Sequence, residues 1–276
     1  MKRTYLIPVL LLITALFACR KEAKLQATPE QPAYTLPQGH TAADDSIIAI
    51  HKKYGTYVLY RFSQGDFGYD YTTLRKDSAF NANPAYVDTT LRFFRQQLMA
   101  LYPESFLKKT MPFRVLLAAY IGSGNSRHAD GFASTSGTLT IGWADSTLLG
   151  KTPAELKNMR GLLHYYYWER AIRTEAVVVP PAFMALTPAA GYNNIHAGNR
   201  YAEGVVSDVY EKLLNPARDY ISFIRVIAGT SAETLEAGIF RPQVDKKGLL
   251  RKKYNVVISH LKSTYGIDLQ AIGNLP

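Results

Sequence analysis

The stretch Gly161-Leu162-Leu163-His164-Tyr165-Tyr166-Tyr167-Trp168-Glu169-Arg170 sets an imidazole, three phenols and an indole side by side. An imidazole can move a proton, ligate a metal or fix a hydrogen bond. Flat rings offer surface on which sugars stack and peptides pack. In a helix, at ~100° per residue, His164 and Trp168 project within roughly 40° of each other. Lys157, Arg160, Gly161 and Ala171 share their side, while Leu156, Met159, Leu162, Leu163 and Tyr166 gather on the opposite one. The second group is expected to be core, and His164 to lie on a distinct face. Gly161 leaves room there, for a ligand or for a second layer of protein. Two readings of His164 follow. It is a hydrogen-bonded structural histidine, or it is the polar contact of a binding cleft in which Tyr165, Tyr167 and Trp168 supply aromatic surface.

The helix that carries this stretch has a clear start. Thr152-Pro153-Ala154-Glu155 combines a Thr cap, Pro in the first turn and Glu three residues after the cap. The pattern predicts a helix to about Arg173. Upstream, residues 41–55 read as a short helix closed by Gly55, and residues 56–62 as a strand. Residues 63–83 read as loop. Pro84 to about Tyr102 carries Val87, Leu91, Phe94, Leu98 and Leu101 in an amphipathic stripe that Pro103 stops. Residues 113–121 and 137–143 read as strands, joined by a Gly/Ser/Asn-rich loop that holds His128 and Asp130. Downstream, helices are predicted over 201–214, 218–228 and 248–264, with a cap near Ser231, and residues 191–199 read as loop. The fold class is α+β, with a small mixed sheet in the first half and a helical second half.

The ends bound the address. Lys2 and Arg3 precede Tyr5 to Ala18, an almost purely apolar run. It falls short of the ~20 residues that a bilayer span requires and fits a secretory leader. Leu16-Phe17-Ala18-Cys19 resembles a lipobox, in which Cys19 becomes the lipidated first residue; the alternative is a leader cut near Ala18. Cys19 is the only cysteine, so no intramolecular disulfide can form. The expected organisation is a signal peptide over 1–18, a Pro-containing tether over 19–39 and a single domain over 40–276. The membrane contact is then a lipid anchor. Arg20 follows the cysteine, which favours the outer membrane over the inner, with its face undetermined.

The formal charge is +10, or +8 without Lys2 and Arg3. With an export leader this points to anionic lipid or acidic glycan as neighbours and away from nucleic acid. The Lys246-Lys247 and Arg251-Lys252-Lys253 run reads as a solvated helix face. No Gly-x-Ser-x-Gly and no phosphate loop is present. Gly122-Ser123-Gly124-Asn125-Ser126 is not spaced as a nucleotide fingerprint, and Cys19 sits at the leader boundary, where it cannot serve as a nucleophile.

Several segments taken in order resemble the zinc-binding metallopeptidase lipoproteins found beside Sus-type outer-membrane glycan importers. They are Ile50-His51-Lys52-Lys53-Tyr54-Gly55 with the strand after it, the strands at Phe113–Ile121 and from Gly137-Thr138, and Tyr265-Gly266-Ile267-Asp268-Leu269. The resemblance spans most of residues 45–272 and implies a zincin-like fold. In that family the central helix carries His-Glu-x-x-His, two ligands and a base on one helix face. His164 matches the first ligand, Tyr165 stands at the glutamate and Trp168 at the second histidine. Indole has no lone pair to give a metal, and a phenol with an ordinary pKa near ~10 is a poor base at neutral pH. Glu203-Gly204-Val205-Val206-Ser207 retains only the first acid of a further family stretch. His196, Glu203 and Asp208 are the residues available to complete a site with His164.

The resulting expectation is a degenerate member: no catalytic residue, no cofactor, and a cleft of His164, Tyr165, Tyr167, Trp168 and Glu203. It would serve as an accessory binding subunit of a glycan or peptide importer. The alternatives are an active zinc peptidase with an atypical ligand set built on His164, and a purely structural envelope lipoprotein.

Overall fold

The computed structural model describes residues 31–68, 76–124, 126–128, 130–189, 191–207 and 214–276. The leader, Cys19 and Asp208 lie outside them. The chain divides into residues 1–35 and 36–276, and the second unit holds the elements that follow. Residues 36–39, expected within the tether, belong to this unit. Gln38 accepts hydrogen bonds from the Tyr60 and Arg61 amides at 2.8 and 3.0 Å, so the chain is fixed from there on.

Helix α1 (Asp44–Tyr54) has Asp44 and Asp45 in its first turn and basic side chains in its last, both matched to the helix dipole. Gly55 closes it at φ +70°, a conformation that a Cβ would strain. Strand β1 (Tyr57–Leu59) follows. The stretch read as loop contains two short elements, α2 (Gln64–Gly68) and β2 (Ser78–Asn81). Their order comes from partners distant in sequence: β2 pairs with the end of a long strand, and Phe80 stacks on Tyr120 at 4.1 Å. The predicted helix from Pro84 is broken up. A 3-10 turn, Pro84–Tyr86, leads into α3 (Val87–Gln97); Leu98 leaves helical geometry, and a second 3-10 turn spans Met99–Leu101. After Pro103 an unanticipated helix, α4 (Glu104–Thr110), buries Phe106 and Leu107.

Strand β3 (Arg114–Ser123) is the spine of the sheet. Two further strands, β4 (Ser126–Arg127) and β5 (Phe132–Ser134), occupy the predicted Gly-rich loop before β6 (Thr138–Ile141). The order is β1-β3-β6-β5, with β1 and β6 parallel to β3 and β5 antiparallel to β6. β2 and β4 pair antiparallel with the distal end of β3. Val58, Val115 and Leu139 share one register row, and β1, β5 and β6 are buried throughout. A sheet buried on both faces explains the continuous apolar runs in place of strict alternation.

The second half is helical: α5 (Pro153–Arg173), α6 (Pro181–Met184), α7 (Pro216–Ala228), α8 (Ala232–Ala237), α9 (Leu249–Tyr265) and α10 (Leu269–Gly273). The predicted cap of α5 is present in both directions: Thr152 Oγ1 accepts from the Glu155 amide, and Glu155 Oε2 accepts from the Thr152 amide at 2.8 Å. Asn215 and Ser231 cap α7 and α8 in one direction only, accepting from the Arg218 and Thr234 amides. The helix predicted over 201–214 is not formed across its first half. Residues 201–204 are a turn that ends at Gly204, φ +72°. A Cβ there would lie 2.6 Å from the Leu249 side chain, so the chain leaves the helix to pass α9 closely. Residues 208–213, the rest of that prediction, lie outside the described residues.

Lys253 departs from the solvated face expected for the basic run. Leu250, Lys253, Val257 and Leu261 form the buried stripe of α9, so helical spacing carries Lys253 into the core. There it pairs with Asp219 at 2.5 Å, both side chains having 0% exposure. Among the described residues no helix is long and apolar enough to cross a membrane.

A closed polar centre on helix α5

Helix α5 runs between β5 and β6 on one side and α7 on the other. That position decides the fate of its predicted open face. His164, Tyr167 and Trp168 each have 0% exposure, and Arg160 has 1%. Gly161 does leave room, and α7 fills it: a Cβ on Gly161 would come within 2.6 Å of the Arg225 carbonyl oxygen. The expected division into a core face and an open face is thus replaced by burial nearly all round. Tyr166, assigned to the core side, is only partly buried and donates to Asp130 at 3.0 Å.

The partners of His164 come from the last residue of α3 and the α3–α4 connection, at the end of the span predicted as one amphipathic helix. Its Nε2 lies 2.9 Å from the Gln97 carbonyl oxygen, and its Nδ1 lies 2.6 Å from Tyr102 Oη. The Trp168 indole donates to that same Tyr102 oxygen at 2.7 Å. The two ends set the direction of the whole chain. Indole N–H only donates and a carbonyl oxygen only accepts. Trp168 Nε1–H therefore donates to Tyr102 Oη, Tyr102 Oη–H to His164 Nδ1, and His164 Nε2–H to Gln97. Every polar hydrogen is used, and the imidazole is neutral with its proton on Nε2. Burial, partly offset by the Gln97 hydrogen bond and reinforced by the Arg160 charge, lowers the His164 pKa to about 4. Burial likewise holds the Tyr102 phenol well above its usual range.

Rings enclose this chain. Phe106 stacks on Trp168 at 5.3 Å, Tyr102 meets His164 edge-on at 5.2 Å, and Tyr265 meets Phe106 edge-on at 5.1 Å. Tyr167 is tied elsewhere. The Thr110 hydroxyl donates to the Phe106 carbonyl, so the Tyr167 hydroxyl donates to Thr110 Oγ1 at 2.6 Å. Arg160 spends its guanidinium on carbonyls: Nε donates to Ala228 at 3.1 Å and Nη2 to Leu275 at 2.9 Å. Tyr165 is buried beside Tyr166 at a ring distance of 5.3 Å.

The other predicted site residues are not gathered here. Glu203 pairs with Lys247 at 2.5 Å near the surface. His196 is exposed and accepts from the Gly198 amide, and Ser207 is buried with its carbonyl oxygen held by Arg200. His164, Tyr165, Tyr167 and Trp168 therefore line no open cleft, because the α3–α4 connection, Tyr265 and α7 cover the helix. Tyr102 and Gln97 carried no signal in the sequence beyond lying near the Pro103 helix stop.

The set does not suit a zinc ion. Zinc takes a lone pair from each ligand, but both His164 nitrogens have protein partners and Trp168 has no lone pair to offer. Among the described residues no group of three or more His, Cys, Asp or Glu could hold a metal.

No family model and no curated protein matches the chain. Among solved structures it is similar to a crystal structure from Bacteroides caccae whose protein bears the provisional name zinc-binding metallo-peptidase. The identity is 14% and the TM-score 0.53, over 85% of this chain and 92% of that one. A likeness at this identity shows the fold alone: an α+β fold shared with that structure.

Proposed function

We propose that this chain is an outer-membrane lipoprotein, anchored through lipidated Cys19, whose zincin-like domain binds and does not cleave. It acts as an accessory subunit of a glycan or peptide importer. The address and partner rest on the leader sequence and on the family resemblance. The observation that carries the non-catalytic reading is the closed hydrogen-bond chain Trp168–Tyr102–His164–Gln97. The position of a metal ligand is occupied by a histidine whose nitrogens are both engaged, and the position of its partner by an indole that donates inward. A water-activating carboxylate is missing at the Tyr165 position as well.

Metal analysis of the purified protein tests the reading. The expected result is no zinc above background, before or after incubation with the ion. Near-stoichiometric zinc that is lost in His164→Ala would sink it and reinstate a metallopeptidase. Labelling cells with a fatty-acid analogue tests the anchor: label on the wild type and none on Cys19→Ser is expected.

A further inference from the structure

Away from the His164 centre, a concavity of ≈ 430 Å³ opens where the first half of α5 meets the end of α7. Its polar lining among the described residues is Asn158, Arg200, Ser207, Ser222, Arg225 and Thr230, with two guanidinium groups and, among those residues, no carboxylate. Arginine facing partly dry space normally has an anionic or carbonyl partner. Arg200 is fixed in place: it donates to the Ser207 carbonyl and to the Tyr201 hydroxyl, each at 3.0 Å, and lies over the Tyr201 ring at 4.6 Å. The Arg225 guanidinium, half-buried in the last turn of α7, has no hydrogen bond or ion pair among the described residues. The Asn158 amide and the Thr230 hydroxyl are likewise unpartnered among the described residues and face the same space. Ser222 donates to the Arg218 carbonyl at 2.7 Å, which leaves its oxygen free to accept. The floor is set by backbone. Gly161 and Gly229 let α5 and α7 touch, so the wall positions are fixed by a helix crossing and not by a loop.

We propose that this concavity binds a small polyhydroxylated carboxylate of the acidic-sugar class. The carboxylate meets Arg225 and Arg200, since a guanidinium fork matches carboxylate geometry. The sugar hydroxyls meet Asn158, Ser222 and Thr230, which together supply donors and an acceptor. The volume lies in the range of sites for small organic ligands. The inference deepens the binding role proposed above and rests on it.

Calorimetric titration of the purified protein with galacturonate, glucose and sulfate tests it. Saturable galacturonate binding is expected, weakened about tenfold or more by Arg225→Ala, only partly by Arg225→Lys, and unchanged by Arg92→Ala, whose side chain pairs with Asp88 on another surface. Circular dichroism establishes that each variant is folded. No galacturonate binding, or binding unaltered in folded Arg225→Ala and Arg200→Ala, overturns the proposal. Equal affinity for glucose overturns the role of charge, and equal affinity for sulfate overturns the sugar assignment. Zinc content keeps the two readings separable: zinc-free protein that ignores galacturonate defeats this inference alone, and zinc-loaded protein that binds it defeats only the non-catalytic assignment.

Discussion

The Tyr102 hydroxyl lies 2.6 Å from His164 Nδ1, buried, and links side chains 62 residues apart in sequence. Since the same oxygen also receives the Trp168 indole N–H, positions 164 and 168 of α5 converge on a phenol. Two polar side chains buried a helical turn apart each need a hydrogen-bond partner, and here one phenol serves both.

Tyr102→Phe removes the hydroxyl and strands two buried polar groups, the Trp168 donor and the His164 acceptor. Each orphaned group costs ~1–3 kcal/mol, so a loss of roughly 2–4 kcal/mol in urea unfolding is expected. A loss below ~0.5 kcal/mol, the scale of an indifferent surface change, would show that the chain of hydrogen bonds is not formed.

His164 makes stability depend on pH. Its folded pKa, about 4, is below the ordinary 6.5, so the fold favours the neutral ring. The contribution is fully present above pH 6.5 and is lost as pH falls from there toward 4. At ~1.4 kcal/mol per unit the shift corresponds to an order of 3 kcal/mol. Unfolding measured at several values across this window should show wild type losing stability faster than His164→Gln. Parallel profiles would exclude His164 as the source.

Lys253 and Asp219 form an ion pair with no exposed side-chain area, and Tyr192 donates to the same carboxylate oxygen at 2.9 Å. Phe183, Tyr192 and Phe223 surround the ammonium. Lys253→Met leaves a buried carboxylate without its cation, and a loss of ~3–5 kcal/mol is expected. The double variant Lys253→Met with Asp219→Leu should recover much of it, because two apolar side chains carry no desolvation cost. Thermal melts of wild type, Lys253→Met, Asp219→Leu and the double variant decide this; a double variant as unstable as the sum of the singles would contradict it.

Gly161→Ala sets helix propensity against packing. Within an isolated helix the change stabilises by ~1 kcal/mol. Here the new Cβ would sit 2.6 Å from the Arg225 carbonyl oxygen and 3.3 Å from Gly229 Cα, backbone atoms that yield only if α7 moves. Net destabilisation of ~1–3 kcal/mol is expected. A variant more stable than wild type in chemical unfolding would mean that the helices separate easily.

Elements with their own local code were legible in sequence. Thr152 and Glu155 announced the start of α5, Gly55 the end of α1, and the helix predicted over 248–264 matches α9. Elements that depend on distant pairing were not. β2, β4 and β5 are each four residues or fewer and exist because β3 and β6 present edges to them. Lys253 was misplaced because composition marks a basic run as solvated, whereas Asp219, 34 residues away, is what admits it to the core.

For the α5 centre the division is sharper. Sequence alone determined that His164 and Trp168 share a direction, that Tyr165 offers no carboxylate, and that Trp168 cannot act as the second helix ligand of a two-histidine zinc motif. These are consequences of helical angle and side-chain chemistry, both local. Only the tertiary structure decided that the face is closed. Gln97 and Tyr102 approach from the end of α3 and the α3–α4 connection, α7 from behind Gly161, and a helical period records where a side chain points, not what comes to cover it.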